Sequence, residues 1–404
     1  MKIKEVKISN YKSLHNVNIS GFNDINMFFG YNNSGKSNFL KLLELIFKSK
    51  GFRQEVTYTE NRIRTSEMLE EEKTNFFEGE IYNVPFIFTN NRFDGEIEFS
   101  VRFSITVNKT PNIAKLKKDY LKGTTHNEIP FVIFGKIISI DKFDTAKIEL
   151  TKVLLNKEPI FSLSSKEEKN YFEKLKGAHQ LTKTNLDEIL AIFNDSVLLI
   201  DCNRILQKES IKKDSLKYEG ILTSQTFKNW LFELYLDANK YSSFLDYVKF
   251  LKNFDIPAGV DRDLIDNKES LPFSKGEIGF AEFRGELDLM LNNKIGRYPL
   301  SSYGTGVQQI LFILAKIFSS KSKIILIEEL ELNLSPKYQA QLINTLRNLI
   351  TSGKINQVFF TTHSRYFDFR NDFGLYHIKI NDKGLTTISS VKPSTPIFKG
   401  YFKY

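Results

Sequence analysis

An α/β fold on a mixed sheet, with an antiparallel β layer and a helical insertion, is predicted by three features of this 404-residue chain. A strand, a glycine loop and a helix follow one another over residues 25–48, and the apolar period turns β-like from about Phe76 to Leu155. Strands then alternate with helices over the last ~130 residues, as they do around a parallel sheet.

The elements follow in order. Residues 1–29 alternate with a period near two (Ile3, Val6, Ile8; Val17, Ile19; Ile25, Met27, Phe29), which predicts short strands. NFLKLLELIFK at 38–48 puts Phe39, Leu42, Leu43, Ile46 and Phe47 on one helix face. Gly95–Thr106 (GEIEFSVRFSIT) and Phe131–Ile140 continue the β pattern and read as the antiparallel layer. From about Ser165 to Phe254 the period is mostly helical, clearest in SKEEKNYFEKL and TFKNWLFELYLDANKYSSFLDYVKFL, and one strand-like run, Val197–Asp201, interrupts it. Residues 255–276 carry Pro257, Gly259, Pro272 and Gly276 and read as a connection. VQQILFILAKIF, KIILIEE, PKYQAQLINTLRNLI, QVFFTTH and two terminal β runs complete the chain. The expected division is an N-terminal lobe over 1–155, a mainly helical insertion over 156–276 and a C-terminal lobe over 277–404. The strand near 197–201 is expected to return to the head.

Composition narrows the function classes. A hydrophobic share of 41% can build a large core and excludes a globally disordered chain. Lys+Arg 57 against Asp+Glu 48 leaves a net charge of +9, which favours anionic partners such as nucleotides, nucleic acid or an acidic protein. The single cysteine, Cys202, excludes an intramolecular disulfide, and no Cys/His cluster has structural-zinc spacing. MKIKEVKISNYKSLHN lacks the apolar core of a secretory signal, and the longest apolar run, Ile310–Phe318, is too short to span a bilayer. A soluble cytoplasmic protein without a membrane partner is expected.

Four motifs carry chemistry. Gly30-Tyr31-Asn32-Asn33-Ser34-Gly35-Lys36-Ser37, followed by Asn38, satisfies the phosphate-loop pattern at every specified position, between an apolar strand and an amphipathic helix. Backbone N–H groups and the helix N-terminus would wrap phosphates, Lys36 would reach the β- and γ-phosphates, and the Ser37 hydroxyl would ligate Mg²⁺. Ile324–Ile327 is an apolar run ending in two carboxylates: Glu328 would hold Mg²⁺ and Glu329 would polarise the attacking water. Ser301–Gln309 (SSYGTGVQQ) opens a helix with small and polar residues, among them Ser302, Gly304, Thr305 and Gly306; alone it reads as an ordinary N-cap, but about 20 residues before the acidic strand it is expected to be a second anion site. Val358–Ser364 is a strand ending in His363, one helix after the acidic strand, where a γ-phosphate sensor would sit.

The order phosphate loop, glycine loop, acidic strand and strand-end histidine is that of ABC-type ATPases. GYNNSGKSN, SSYGTGVQQ, ILIEELELNLSP and FFTTHS resemble the ATPase heads of the RecF/SMC-like class, closest to the OLD-like ATPases and their relatives in anti-phage systems. NYKSL is similar to the segment such heads carry after their first strand, and the resemblance covers about 1–50 and 277–404. It implies a P-loop ABC-type ATPase head that hydrolyses ATP with Mg²⁺, as a dimer sandwiching two ATP molecules. Ser302, Gly304, Thr305 and Gly306 of one protomer would then act on the nucleotide of the other, with His363 reading the γ-phosphate. The glycine segment departs from Leu-Ser-Gly-Gly-Gln, Glu328 stands where many ABC proteins have Asp, and Leu330 replaces a common proline.

Only 40 residues follow Ser364, so the Toprim nuclease that OLD proteins carry after the head is not expected, and residues 51–276 lack the heptads of an SMC arm. The resemblance therefore implies a nuclease-free ATPase, similar to the ATPase subunits of two-gene defence systems such as PARIS and Septu. Its partner would be an effector nuclease from a neighbouring gene. The alternative is a RecF-like repair ATPase that binds DNA directly. Trp230, Tyr235, Tyr241, Phe244 and Tyr247 exceed what one amphipathic stripe needs, so the insertion would either dock the partner or pack its helices on each other.

Overall fold

A computed structural model describes residues 1–48, 78–82, 96–106, 128–139, 145–155, 158–162, 196–206, 211, 222–252, 278–283, 286–293, 296–364 and 372–402. The chain opens with β1 (Lys2–Ser9), β2 (Val17–Ser20), β3 (Ile25–Phe29) and helix α1 (Lys36–Lys48). Next come β4 (Glu78–Tyr82), β5 (Ile97–Thr106), β6 (Glu128–Ser139), β7 (Thr145–Leu155), β8 (Glu158–Ser162) and β9 (Val197–Ile200). Helices α2 (Phe227–Leu236) and α3 (Tyr241–Lys252) precede β10 (Ile278–Phe283), β11 (Glu286–Asn293) and β12 (Gly296–Pro299). The last part holds α4 (Thr305–Ser319), β13 (Ile324–Ile327), α5 (Pro336–Thr351), β14 (Gln357–Thr362), β15 (Phe373–Ile380), β16 (Thr386–Val391) and α6 (Pro396–Tyr401).

The central sheet runs β16-β15-β3-β14-β13-β9, with every neighbouring pair parallel except β15–β16. A second, antiparallel sheet runs β2-β1-β5-β6-β7-β4, with β8 on β7, and β10-β11-β12 form a third. The mixed architecture expected from the apolar periods is what forms. The strand after residue 196 pairs with β13 from Val197–Ile324 to Ile200–Ile327, at the edge of the central sheet.

Burial on both faces explains why the central strands are continuously apolar. Along β13, Ile324 and Leu326 enter one core cluster, and Ile325 and Ile327 enter the other. The first cluster holds the stripe of α1 (Phe39, Leu42, Leu43, Ile46, Phe47) together with Ile3, Val6 and Val101 of the antiparallel sheet. Helix α1 is thus packed between two sheets, which fixes its N-terminus at the end of β3. The second cluster gathers α4, α5 and the aromatic helices on the opposite face. Helix α5 begins where Ser335 caps the Tyr338 N–H and Pro336 occupies the first turn.

Of the two readings of the five aromatics, packing is what the described residues show, between the two helices and against α4. A turn at Asp237–Lys240 splits the stretch into α2 and α3, and both lie on α4. Phe244 and Tyr247 are buried, and Trp230 and Tyr235 pack partly buried against the same core, which leaves Tyr241 as the exposed one of the five. The Tyr247 hydroxyl donates to the Leu311 carbonyl at 2.8 Å, and Phe227 meets Phe312 edge to face. Helix α4 is buried almost all round, so it needs cover on every side, and these rings supply it. SKEEKNYFEKL and the 255–276 connection lie outside the described residues. No helix among the described residues is long and apolar enough to cross a membrane.

Candidate active site

The phosphate loop leaves β3, which lies between β14 and β15, and enters α1 at Lys36. Asn33 and Gly35 take left-handed backbone, at φ 58° and 93°. At Gly35 a side chain would also collide with the hydroxyls of Thr386 and Ser13, so glycine is required twice over. Those hydroxyls brace the loop from behind. The Thr386 hydroxyl lies 2.9 Å from the Ser34 carbonyl and 2.7 Å from Ser13 Oγ, which accepts from Asn38 Nδ2 at 3.0 Å. Ser13 belongs to the NYKSL segment, and Thr386 comes from β16 at the far end of the chain.

Lys36 is buried, and its ammonium donates to the carbonyls of Gly30 at 3.0 Å and Tyr31 at 2.7 Å. Burial pulls its pKa down to about 8, against the opposing pull of Glu329 and Glu331. This has a measurable consequence. A phosphate group selects the charged amine, so ATP affinity should be flat below pH 8 and fall as pH rises above it, by up to about tenfold per unit. Nucleotide titrations between pH 7 and 9.5 check this, and a level profile would contradict it. For the ligand-free fold the sign reverses. The unfolded chain binds the extra proton between about 8 and the ordinary 10.5, so stability rises with pH across that window.

The acidic strand end is built from three carboxylates. Glu328 continues the ladder by donating its N–H to the Ile200 carbonyl at 2.9 Å, and its side chain is buried. Its Oε1 forms an ion pair with Lys41 Nζ at 3.5 Å and has no hydrogen-bond partner among the described residues. Glu329 sits in left-handed backbone at φ 44°, which is uncommon for a long side chain. Its N–H donates to Thr361 Oγ1 at 2.8 Å, and its carbonyl accepts from Arg204 Nη2 at 2.7 Å. Glu331 turns back to accept the N–H groups of His363 and Ser364, which fixes the end of β14.

His363 Nδ1 faces Lys36 Nζ at 3.5 Å, and Nε2 lies 3.7 Å from Glu329 Oε1. Burial, then the Lys36 cation, lowers the imidazole pKa, while Glu331 and Glu329 oppose. The ring is therefore neutral at pH 7. A hydrogen bond to the Gly30 carbonyl also supports the ring's proton.

One cavity of about 260 Å³ joins these groups. It is lined by Asn32, Asn33, Ser34, Gly35, Lys36, Ser37, Asn38, Glu329 and His363. Gly30 contributes the carbonyl that holds Lys36, and Glu328 lies buried behind Lys41 on α1. Ser302, Gly304 and Thr305 are not in that lining and are exposed, and Gly306 is buried at the start of α4. A side chain at Gly306 would meet the Asn333 carbonyl at 2.8 Å, whereas Gly304 has open space around it. The Glu328 carboxylate oxygen without a hydrogen-bond partner and the Ser37 hydroxyl on the cavity wall are oxygen donors of the kind Mg²⁺ takes. Arg204, Glu331, Thr361 and the Ser13–Thr386 brace were missed at the sequence level. An arginine just past the apolar run VLLI, and a third acid two residues beyond the pair, were the signals for the first two.

The family model for the AAA ATPase domain matches residues 1–367. An "ATP/GTP phosphatase" of Helicobacter pylori is 24% identical over 404 residues, spanning 94% of this chain and 93% of that protein. An uncharacterized protein of Methanocaldococcus jannaschii is 30% identical over 193 residues, which is 46% of this chain and 22% of its own length. Among solved structures, the SMC head domain from Thermotoga maritima is similar with a TM-score of 0.42 and 12% identity, covering 97% of this chain and 100% of that one. An SMC head bound to the C-winged helix domain of ScpA has a TM-score of 0.43 and 12% identity, covering 98% of each chain. The family match runs through the phosphate loop, the acidic strand and the strand-end histidine alike, so the chain belongs to the AAA ATPase domain family and is an ATPase.

Proposed function

We propose that two protomers close on each other around two ATP molecules, each bound by the phosphate loop of one chain and capped by Ser302, Gly304, Thr305 and Gly306 of the other. The observation that carries this reading is the separation of the phosphate loop from the glycine segment at the start of α4. The cavity holds the phosphate loop, Glu329 and His363, while the segment at the start of α4 lies outside its lining and is largely exposed. An isologous pairing satisfies both segments at once.

In that complex the backbone N–H groups of Asn32 to Ser37 wrap the phosphates, and Lys36 exchanges its two carbonyl contacts for phosphate oxygens. Ser37 and Glu328 would hold Mg²⁺, which neutralises charge on the phosphate oxygens when bound. Glu329 accepts a proton from the water that attacks the γ-phosphorus. The bond to the β–γ bridging oxygen breaks, and ADP and phosphate leave. Neutral His363, beside Lys36 and Glu329, would offer its ring N–H to the γ-phosphate.

A mixing experiment tests the shared site. Lys36→Ala removes the cation, and Gly304→Arg blocks the capping segment at a position where the fold itself has room. Each variant alone should be inactive. A mixture should regain ATPase activity, because heterodimers place both lesions at one site and leave the other whole. Activity of Gly304→Arg alone at the wild-type level, independent of protein concentration, would contradict the reading.

The head is further proposed to act as a sensor or scaffold that controls a separate effector nuclease in anti-phage defence, on the resemblance of its motifs to such ATPases. Co-purification with the product of the adjacent gene tests this. The net charge of +9 favours a second reading, a RecF-like repair ATPase that binds DNA directly. Tight DNA binding that weakens steeply with salt would select it.

A further inference from the structure

Arg204 has no part in the proposed phosphate contacts, yet among the described residues it is the largest fully buried side chain, at 0% exposure. Its Nη2 donates to the Glu329 carbonyl at 2.7 Å. Its Nε and Nη1 have no hydrogen-bond partner among the described residues. Burial disfavours the charge, while neighbouring acidic groups, among them Glu331, Asp201 and Glu329, support it. Dry, unpaired donors on a fixed cation are costly, and a fold keeps such a group where its placement does something else.

What it touches is a backbone carbonyl that closes the acidic turn. Glu329 is left-handed, and its carbonyl also accepts the Leu332 N–H at 2.9 Å. The turn is closed from inside by that bond and clamped from outside by the guanidinium. Thr361 Oγ1 holds the N–H of the same residue, so the backbone of Glu329 is fixed on both sides. The side chain that emerges lines the cavity and lies 3.7 Å from His363. Arginine suits this task better than lysine, because its planar fork stays charged when buried and approaches a carbonyl in a set direction.

We propose that Arg204 is a positioning residue for hydrolysis: through the Glu329 carbonyl, its guanidinium fixes the left-handed backbone that aims the Glu329 carboxylate into the cavity. This rests on the reading of Glu329 as the proton acceptor. Arg204 is not among the residues lining the cavity, so it would act through Glu329 and not on the nucleotide directly. It comes from the loop after β9, so that edge strand serves to deliver it beside the end of β13.

A double-mutant cycle tests the proposal, with equilibrium binding of a fluorescent ATP analogue measured beside kcat. Arg204→Met should lower kcat about 10- to 100-fold, the scale on which small misplacements of a reacting group act. Analogue affinity should stay within about threefold of wild type, since no phosphate contact is lost. Arg204→Lys, which keeps one donor and the charge, should fall between. In Arg204→Met/Glu329→Gln the rate should equal that of Glu329→Gln alone, because a residue acting only through Glu329 has nothing left to position. A general structural lesion would instead lower affinity and rate together, and its effect would multiply with Glu329→Gln. Either of those outcomes, or wild-type turnover in Arg204→Met, overturns the proposal while leaving Glu329 in its role. Wild-type turnover in Glu329→Gln would overturn the role of Glu329 itself. Should Arg204→Met prove insoluble, Arg204→Lys carries the same cycle, and full additivity there is equally decisive against the proposal.

Discussion

Replacing Lys36 with alanine should all but abolish ATP binding. Among the residues lining the cavity, Lys36 supplies the ammonium, and its amine is already desolvated and held by the Gly30 and Tyr31 carbonyls. The reorganisation needed to meet a phosphate is therefore small, and the interaction is made away from bulk water. Truncating one partner of a buried, hydrogen-bonded charge pair costs about 2–5 kcal/mol, or roughly 30- to 4,000-fold in affinity. Titration of nucleotide into the variant reads this directly. Wild-type affinity would overturn the assignment of the phosphate loop.

Glu329→Gln should separate binding from turnover. The amide keeps the shape of the carboxylate and the backbone contacts to Thr361 and Arg204, which involve only the N–H and carbonyl of that residue. It cannot accept a proton. Losing a positioned general base lowers the rate about 10²- to 10⁴-fold, and ATP affinity should remain near wild type. Rapid-quench measurement of a single turnover isolates the chemical step. Glu328→Gln is expected to behave differently, raising the Mg²⁺ concentration needed for half-maximal activity. If Glu328→Gln lost the chemical step and Glu329→Gln kept it, the two roles would be exchanged.

The parts of this site that were legible in the sequence are the ones written in short contiguous runs. GYNNSGKS, IILIEE and FFTTH each name a strand and the chemistry at its end, and the central sheet brings the three ends to one cavity. The supports are different in kind. Arg204 reaches Glu329 across 125 residues, and Thr386 reaches Ser13 across 373, so neither contact leaves a local pattern. Their residue types are also ordinary at those positions until the fold closes. The aromatic helices went the other way. Five rings in α2 and α3 looked like surplus for one amphipathic stripe, but α4 is apolar on nearly every face and has to be covered. That demand was written in VQQILFILAKIF, some 60 residues from the rings that meet it.

The shared-site dimer is tested most directly by the mass of the Glu329→Gln protein in solution with ATP and Mg²⁺. That variant should bind nucleotide and stay closed, because the step that reopens the complex is blocked. Light scattering coupled to gel filtration should then report twice the 46.9 kDa of one chain with ATP, and the smaller mass when ATP is withheld or Lys36→Ala is added to the same chain. A mass of 46.9 kDa with ATP demonstrably bound, at every protein concentration, would contradict it.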